Sequence, residues 1–278
     1  MVQENFNFDT LKIKIPKRHK NSHKGDFGKV LIAGGASGMG GASILSSEAS
    51  LFCGAGLVHL ETHLSNVEAS LKRNPEIMAF GGSSQIDSIK DISVVVCGPG
   101  LKNDDWSYDI FEKIIATYDK SVLVLDAGAL HFLPQTYENI KKINAELILT
   151  PHPGEASKLL NISVDKIQEN RSLSAKEISN KYNASVILKG NETIIYSNKD
   201  SMEYQCSEGG PELSTGGTGD VLAGIISALV AQKINIIDSC LLSVAVHARA
   251  GKIFKKNIGE IGLNASSLIS IARDLLNK

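Results

Sequence analysis

The chain has 278 residues, 42% of them apolar, and a formal net charge of -1 at pH 7. That length and apolar content suffice for one large buried core, and the near-neutral balance argues against a general basic surface for nucleic acid or an anionic membrane. No apolar run approaches the roughly 20 residues that span a bilayer, and the polar stretch from Met1 to Lys24 lacks the apolar centre of a secretory signal.

The first 24 residues are mildly basic, with Lys12, Lys14, Lys17, Arg18, Lys20 and Lys24 against Glu4 and Asp9. They read as a solvated arm (1-24) ahead of one α/β domain over 25-278. Lys29 to Gly34 is an apolar run closed by glycine, which predicts a buried strand, and Ala42 to Phe52 predicts a helix of small and aliphatic residues. The turn between them, Gly34 to Gly41, satisfies neither GxGxxG nor a Walker loop, since no GK[ST] follows Gly40. It is left as a close-packing or substrate-contacting turn. Ala55 to Leu60 predicts a second strand, with His59, Glu61 and His63 running into a loop. Their order, HLETH, is not the helical HExxH of a zinc hydrolase, so no metal site is predicted there. Cys53, Cys97, Cys206 and Cys240 show no paired spacing, which points to unlinked thiols, some of them buried, and a reducing cytoplasm.

Val94 to Cys97 and Val122 to Asp126 are further short strands, separated by a helix over Asp104 to Tyr118 with Trp106, Ile110, Phe111, Ile114 and Ile115 on one face. Alternation of this kind predicts a parallel sheet covered on both faces, with functional residues gathered beyond the strand C-termini. The glycine turns and Asp126 lie there. Leu147 to Thr150 is another such strand, and the prolines on either side of His152 stiffen the backbone and hold its imidazole in one orientation, either to contact a ligand or to serve a structural role. Helices over Glu155 to Leu160 and Ser163 to Tyr182 follow. Ser185 to Gly190 then predicts a strand whose terminal Lys189 faces either a nucleotide or solvent. Thr193 to Tyr196 pairs with it as a hairpin across Asn191 and Glu192.

The densest signal is Gly209 to Asp220, which empties into the apolar run Val221 to Gln232. A glycine-rich loop opening a helix leaves unpaired N-H groups at the positive end of the helix dipole, a ready site for a phosphate or a developing anion. An ordinary cap needs one polar residue, not the three glycines and two threonines that run from Thr215 to Gly219. Asp220 at its mouth would repel a phosphate, which suits a carboxylate that acts on a substrate hydroxyl beside it. Asp238 to Lys255 predicts a helix with His247 packed in its apolar stripe, and Asn264 caps a last helix through Leu276.

Thr215 to Leu222 (TGGTGDVL) resembles the signature of the NAD(P)H-hydrate dehydratase family, part of the ribokinase-like superfamily. So do Gly38-Met39 with Gly41-Ala42, Gly54 to Val58, Thr150 to Glu155, Leu188 to Gly190, and Gly262-Leu263 with Ala265-Ser266. These matches run in family order from about residue 25 to 275. Two departures flank the core: Gly210 to Ser214 reads GPELS where the family usually carries Asn-Pro-Gly-Met-Ala, and Gly128 stands where an acidic residue is common.

The resemblance implies a three-layer α/β/α ribokinase-like fold with a mostly parallel central sheet. It implies dehydration of the S-epimer of hydrated NADH or NADPH, driven by ADP or ATP, with ADP the preferred donor. Asp220 would be the general base, and the N-H groups of Gly217, Thr218 and Gly219 would stabilise the phosphoryl group in transit. Ala42, Gly100 and His152 would contact the hydrated dinucleotide with Asp220. Lys189, Gly190, Asn191, Glu192, Thr193 and Gly219 would hold the adenosine phosphate. Magnesium (Mg2+) would accompany the phosphates without a dedicated protein cage. The epimerase domain fused in some relatives is not expected in so short a leading segment, so a separate NAD(P)H-hydrate epimerase is the expected partner. A cytoplasmic homo-oligomer, a tetramer, is expected from relatives. The competing readings are a small-molecule kinase of the same superfamily, of the hydroxymethylpyrimidine or thiazole type, and a non-catalytic nucleotide-binding sensor.

Overall fold

Strands that are buried on both faces build the centre of the molecule, which is why their sequences are aliphatic throughout rather than alternating. A computed structural model describes residues 3-278. The first half runs β1 (Gln3–Phe6), β2 (Lys29–Ala33), α1 (Gly40–Phe52), β3 (Leu57–Thr62), α2 (Leu64–Arg73), β4 (Met78–Gly81), β5 (Val94–Cys97), α3 (Asp105–Thr117), β6 (Val122–Leu125), α4 (Gly128–Phe132) and α5 (Tyr137–Ile140). The second runs β7 (Glu146–Leu149), α6 (Pro153–Leu160), α7 (Val164–Glu169), α8 (Arg171–Tyr182), β8 (Ala184–Leu188), β9 (Ile194–Tyr196), β10 (Glu203–Cys206), α9 (Thr218–Ala231), α10 (Ile236–Asn257) and α11 (Ala265–Leu276).

The strands form one ten-stranded sheet in the order β1-β10-β9-β8-β7-β6-β5-β2-β3-β4, in which only the pairings of β9 with its two neighbours are antiparallel. Val30, Ile32, Val58, Val94 and Val96 face one core, with α1, α9, α10 and α11. Leu31, Ala33, Val95, Cys97, Leu123 and Leu125 face the other, with α3 to α8. The result is the three-layer α/β/α arrangement with a mostly parallel sheet.

Strand order reverses between β2 and β5, the place where such sheets open a crevice for ligands. The two glycine turns there interlock: Gly35 N-H donates to Pro99 O at 2.8 Å and Ala36 N-H to Gly100 O at 2.9 Å. A Cβ on Gly34 would lie 2.0 Å from Pro99 O, so only glycine permits this approach.

Several expectations need correction. The segment read as a solvated arm is tied down where it is described, Met1 and Val2 lying outside the described residues. β1 pairs parallel with β10, Phe6 is buried, and Phe8, Leu11, Ile13 and Ile15 pack against the core. These apolar residues, spaced among the lysines, anchor the segment to the core, and the charge count hid them. Leu188 pairs with Ile194, so the β8-β9 connection is the five residues 189-193 rather than a two-residue turn. The helix predicted over Ser163 to Tyr182 breaks at Asn170, which caps α8 by accepting from Leu173 N-H at 3.0 Å. The second strand begins at Leu57, after Gly54 and Gly56. α2, β4 and β10 were not anticipated, being short and weakly apolar.

Candidate active site

Four charged side chains meet beyond the C-terminal ends of the strands. Asp126 directly follows β6 and is 2% exposed. Its Oδ1 accepts from Thr150 Oγ1 at 2.7 Å and from Lys189 Nζ at 2.7 Å. Lys189 follows β8, and its Nζ also lies 3.9 Å from Glu155 Oε2. A Cβ on Gly219 would lie 3.3 Å from Lys189 Nζ and 3.9 Å from Asp126 Oδ2, so the glycine loop sits over this ion pair. Lys189 is therefore not a snorkelling surface residue. Burial pulls its pKa down, but Asp126, Glu155 and Asp220 outweigh burial and hold it above the ordinary lysine value.

Asp220 occupies the first turn of α9. Burial raises its pKa from 3.8 to about 7, with repulsion from Asp126 and Glu155 adding to the rise and Lys189 opposing it. The carboxyl thus exchanges its proton near neutrality, as a general base requires. The helix begins at Gly217, whose φ of 92° and whose contact with Leu45 and Ala265, 2.9 and 3.0 Å from an added Cβ, exclude a side chain. The first α-helical bond runs from Val221 N-H to Gly217 O, and ahead of it Thr218 N-H donates to Thr215 O at 3.5 Å, so that of the three amides expected to hold a phosphoryl group one has a partner within the loop. Thr218 Oγ1 donates to Leu213 O and Thr215 O, both at 3.0 Å, and staples the loop in place. His247 Nε2 lies 2.9 Å from Thr218 O and, facing a carbonyl, carries the proton. Burial lowers its pKa to about 4, against the Thr218 hydrogen bond, which keeps the ring neutral.

His152 caps α6. Its Nδ1 accepts from Gly154 N-H at 3.0 Å and Glu155 N-H at 3.3 Å, while Glu155 Oε2 accepts from His152 N-H at 2.7 Å. This reciprocal capping box fixes the imidazole more firmly than the flanking prolines alone would. Burial raises the Glu155 pKa, opposed first by Lys189.

Two clefts flank the charged cluster. One, of about 500 Å3, is lined by His152, Glu155, Leu101, Lys102, Gly128 and His131 among others. The second, of about 470 Å3, is lined by Lys189, Gly190, Asn191, Thr193 and Gly219 together with Thr218, Leu222, Val244 and His247. Most of the residues anticipated for a nucleotide are thus gathered in one place. Glu192 is the exception: it is not among the lining residues, and its Oε2 accepts from Gln205 Nε2 at 2.7 Å. Ala42 and Gly100 line neither cleft but pack together at the β2/β5 crevice, where a Cβ on Gly100 would lie 3.2 Å from Ala42 Cβ. His63, in the HLETH stretch, caps α2 by accepting from Ser65 N-H at 3.3 Å.

Asp126 and Glu155 carry no role of their own in the sequence reading, although Asp126 directly follows β6 and Glu155 stands in the first turn of α6, just beyond β7. Ala127 adds a backbone signal invisible in sequence: it adopts φ 46°, ψ -118°, a costly conformation for a residue with a Cβ. The four cysteines are buried and unlinked, and burial pushes the Cys53 and Cys240 thiols up to about 12.

A family model for NAD(P)H-hydrate dehydratase matches residues 30-273. The chain is 38% identical over 269 residues to the bifunctional NAD(P)H-hydrate repair enzyme of Coxiella burnetii, covering 95% of this chain and 53% of that protein. It therefore spans about half the length of the bifunctional relatives it matches. It is 34% identical over 265 residues to the ADP-dependent (S)-NAD(P)H-hydrate dehydratase of Neisseria meningitidis, covering 94% of this chain and 89% of that one. Among solved structures, the ADP/ATP-dependent NAD(P)H-hydrate dehydratase of Bacillus subtilis, co-crystallised with ATP/Mg2+, superposes with a TM-score of 0.84 at 26% identity, covering 94% of this chain and 93% of that one. The three-layer fold is ribokinase-like.

Proposed function

The chain belongs to the NAD(P)H-hydrate dehydratase family, and on that premise we propose that it returns the S-epimer of hydrated NADH or NADPH to the reduced dinucleotide, with ADP as donor, or ATP. The observation that carries this reading is the Asp220 carboxyl, tuned to about 7 by burial and set at the mouth of the glycine loop. Hydroxide is a poor leaving group. Transfer of the terminal phosphoryl group of ADP to the C6 hydroxyl of the hydrate removes that difficulty. Asp220 takes the hydroxyl proton, the new O-P bond forms, and the bond from phosphorus to AMP breaks. The N-H groups of Gly217 and Gly219, with that of Thr218 once it leaves Thr215 O, stabilise the charge in transit. Departure of phosphate from C6 with loss of a proton from C5 then restores the dihydropyridine.

The cleft beside His152, with Ala42 and Gly100 at the adjoining crevice, takes the hydrate. The cleft lined by Lys189, Gly190, Asn191 and Thr193 takes the adenosine phosphate, with Leu222, Val244 and neutral His247 as the apolar wall for the base. Both volumes lie within the roughly 300–1,000 Å3 of ordinary ligand pockets. Magnesium would arrive with the nucleotide: the described residues include no group of three or more His, Cys, Asp or Glu arranged to hold a metal ion, and Asp126 is already committed to Lys189. A kinase would release the phosphorylated hydroxyl compound intact, and the match to dehydratases favours elimination.

An epimerase is the proposed functional partner, since only one C6 epimer is consumed and the longer relatives are bifunctional repair enzymes. A cytoplasmic setting and a tetrameric assembly complete the proposal, supported by the unlinked thiols and by the exposed Leu64, Ile258 and Ile261. Light scattering that reads a monomer would remove the assembly. The mechanism is tested by Asp220→Asn: it should bind both ligands and lose about three orders of magnitude or more in turnover. Retained turnover would reject Asp220 as the base.

A further inference from the structure

Arg171 is the first residue of α8, where the positive end of the helix dipole disfavours a cation. It is half-buried, and among the described residues no carboxylate forms an ion pair with it. Its guanidinium donates to the carbonyl oxygens of Leu188 at 3.0 Å, Lys189 at 3.3 Å and Asn191, and its Nε is buried with no hydrogen-bond partner among the described residues. Desolvation lowers its pKa, and Glu192, acting from a distance, only partly offsets this. Gly190 rests on the same group: at φ 148°, a Cβ there would lie 2.9 Å from Arg171 Nη2.

These contacts place the β8-β9 loop between the guanidinium and the second cleft. Gly190, Asn191 and Thr193 line that cleft, and Arg171 does not. In a planar trans peptide, C=O and the following N-H point in opposite directions. With the Lys189 and Asn191 carbonyls turned to Arg171, the N-H groups of Gly190 and Glu192 point away from it, to the loop's other side. The loop thus offers amide donors over a half-buried positive charge that Glu192 only partly offsets, and both favour a polyanion.

We propose that Arg171 is a positioning residue that gives the nucleotide cleft its affinity for phosphate, by fixing the carbonyls of residues 188, 189 and 191 and by leaving one half-buried, incompletely balanced positive charge for the ligand's phosphates to neutralise. This rests on the reading of that cleft as the nucleotide site. It predicts a dependence on ligand charge that a merely structural arginine would not produce.

Calorimetric titration of the full chain with ADP, AMP and adenosine tests it, comparing wild type with Arg171→Gln and Arg171→Lys. Arg171→Gln should weaken ADP about tenfold or more, the equivalent of one lost charge-assisted contact. AMP should weaken less and adenosine should stay within about twofold. Arg171→Lys keeps the charge without the planar fork, so its loss should be intermediate. The KM for the hydrate should stay unchanged in both. Parallel weakening of all three ligands, or unchanged ADP affinity in folded variants, would overturn the inference. If Arg171→Gln does not fold, Arg171→Lys decides by the same comparison. Failure of wild type to bind ADP would overturn the nucleotide reading and this inference with it, whereas a null result in the variants alone touches only Arg171.

Discussion

Asp220 holds its proton to about 7 because burial and two neighbouring carboxylates oppose ionisation more strongly than Lys189 favours it. Activity that needs the free carboxylate should fall on the acid side with an apparent pKa near that value. Replacing Lys189 with Met should move the limb upward, since it removes the one cation that favours ionisation, and would leave Asp126 buried and unpaired. Stability has the opposite sign. Burial raises Glu61 in the same way, from 4.5 to about 7, although Gly82 N-H donates to its Oε1 at 3.1 Å. Between the ordinary and the raised values the native state binds more protons than the unfolded one, so stability is full below pH ~4 and declines as pH rises toward 7. Asp220→Asn and Glu61→Gln should each stabilise the fold at pH 8 by on the order of 1–3 kcal/mol and lose that advantage at pH 4, as read by denaturant melts. Equal stabilities at both pH values would contradict the origin given for these shifts. None of this is legible in sequence, because a carboxylate's ionisation depends on neighbours that only folding brings near.

At the scale of elements, α9 carries the glycine loop and must be held rigidly against the sheet. It packs on α1 through small residues: a Cβ on Gly224 would lie 2.3 Å from Ser46 O and 2.7 Å from Ala49 Cβ, and Ser227 Oγ donates to Ser50 Oγ at 3.1 Å. Gly224→Ala should therefore force the helices apart and cost about 1–3 kcal/mol, with a rate loss from displacement of Asp220. Thermal melting and kcat measured together check it; an unperturbed variant would mean that α1 yields freely. The helix was legible from its continuous apolar run, as were the β2, β5, β6, β7 and β8 strands, since their full burial leaves an aliphatic signature. β1, β4 and β10 were not. Short strands at or near an edge need little apolar character, and their place is decided by pairing rather than by their own residues.

Across the whole molecule, loops far apart in sequence converge on one rim: Gly34 to Ala42, Gly98 to Gly100, Asp126, His152 to Glu155, Lys189 to Thr193 and Gly209 to Asp220. The motifs that marked them were legible because glycine and proline are needed where backbone approaches backbone or ligand. The division of the rim into two clefts, and the Asp126-Lys189 pair between them, follow from strand order, which is set by pairings between segments distant in sequence. In the proposed reaction that division would separate a donor nucleotide from an acceptor hydroxyl, with Asp220, in the first turn of α9, as the proposed base. The most direct measurement is product analysis of purified protein given the S-hydrate of NADH, ADP and magnesium. The account predicts NADH, AMP and inorganic phosphate in equal amounts, with no phosphorylated hydrate accumulating. AMP appearing with a stable phosphorylated compound and no NADH would make this chain a kinase and contradict the account.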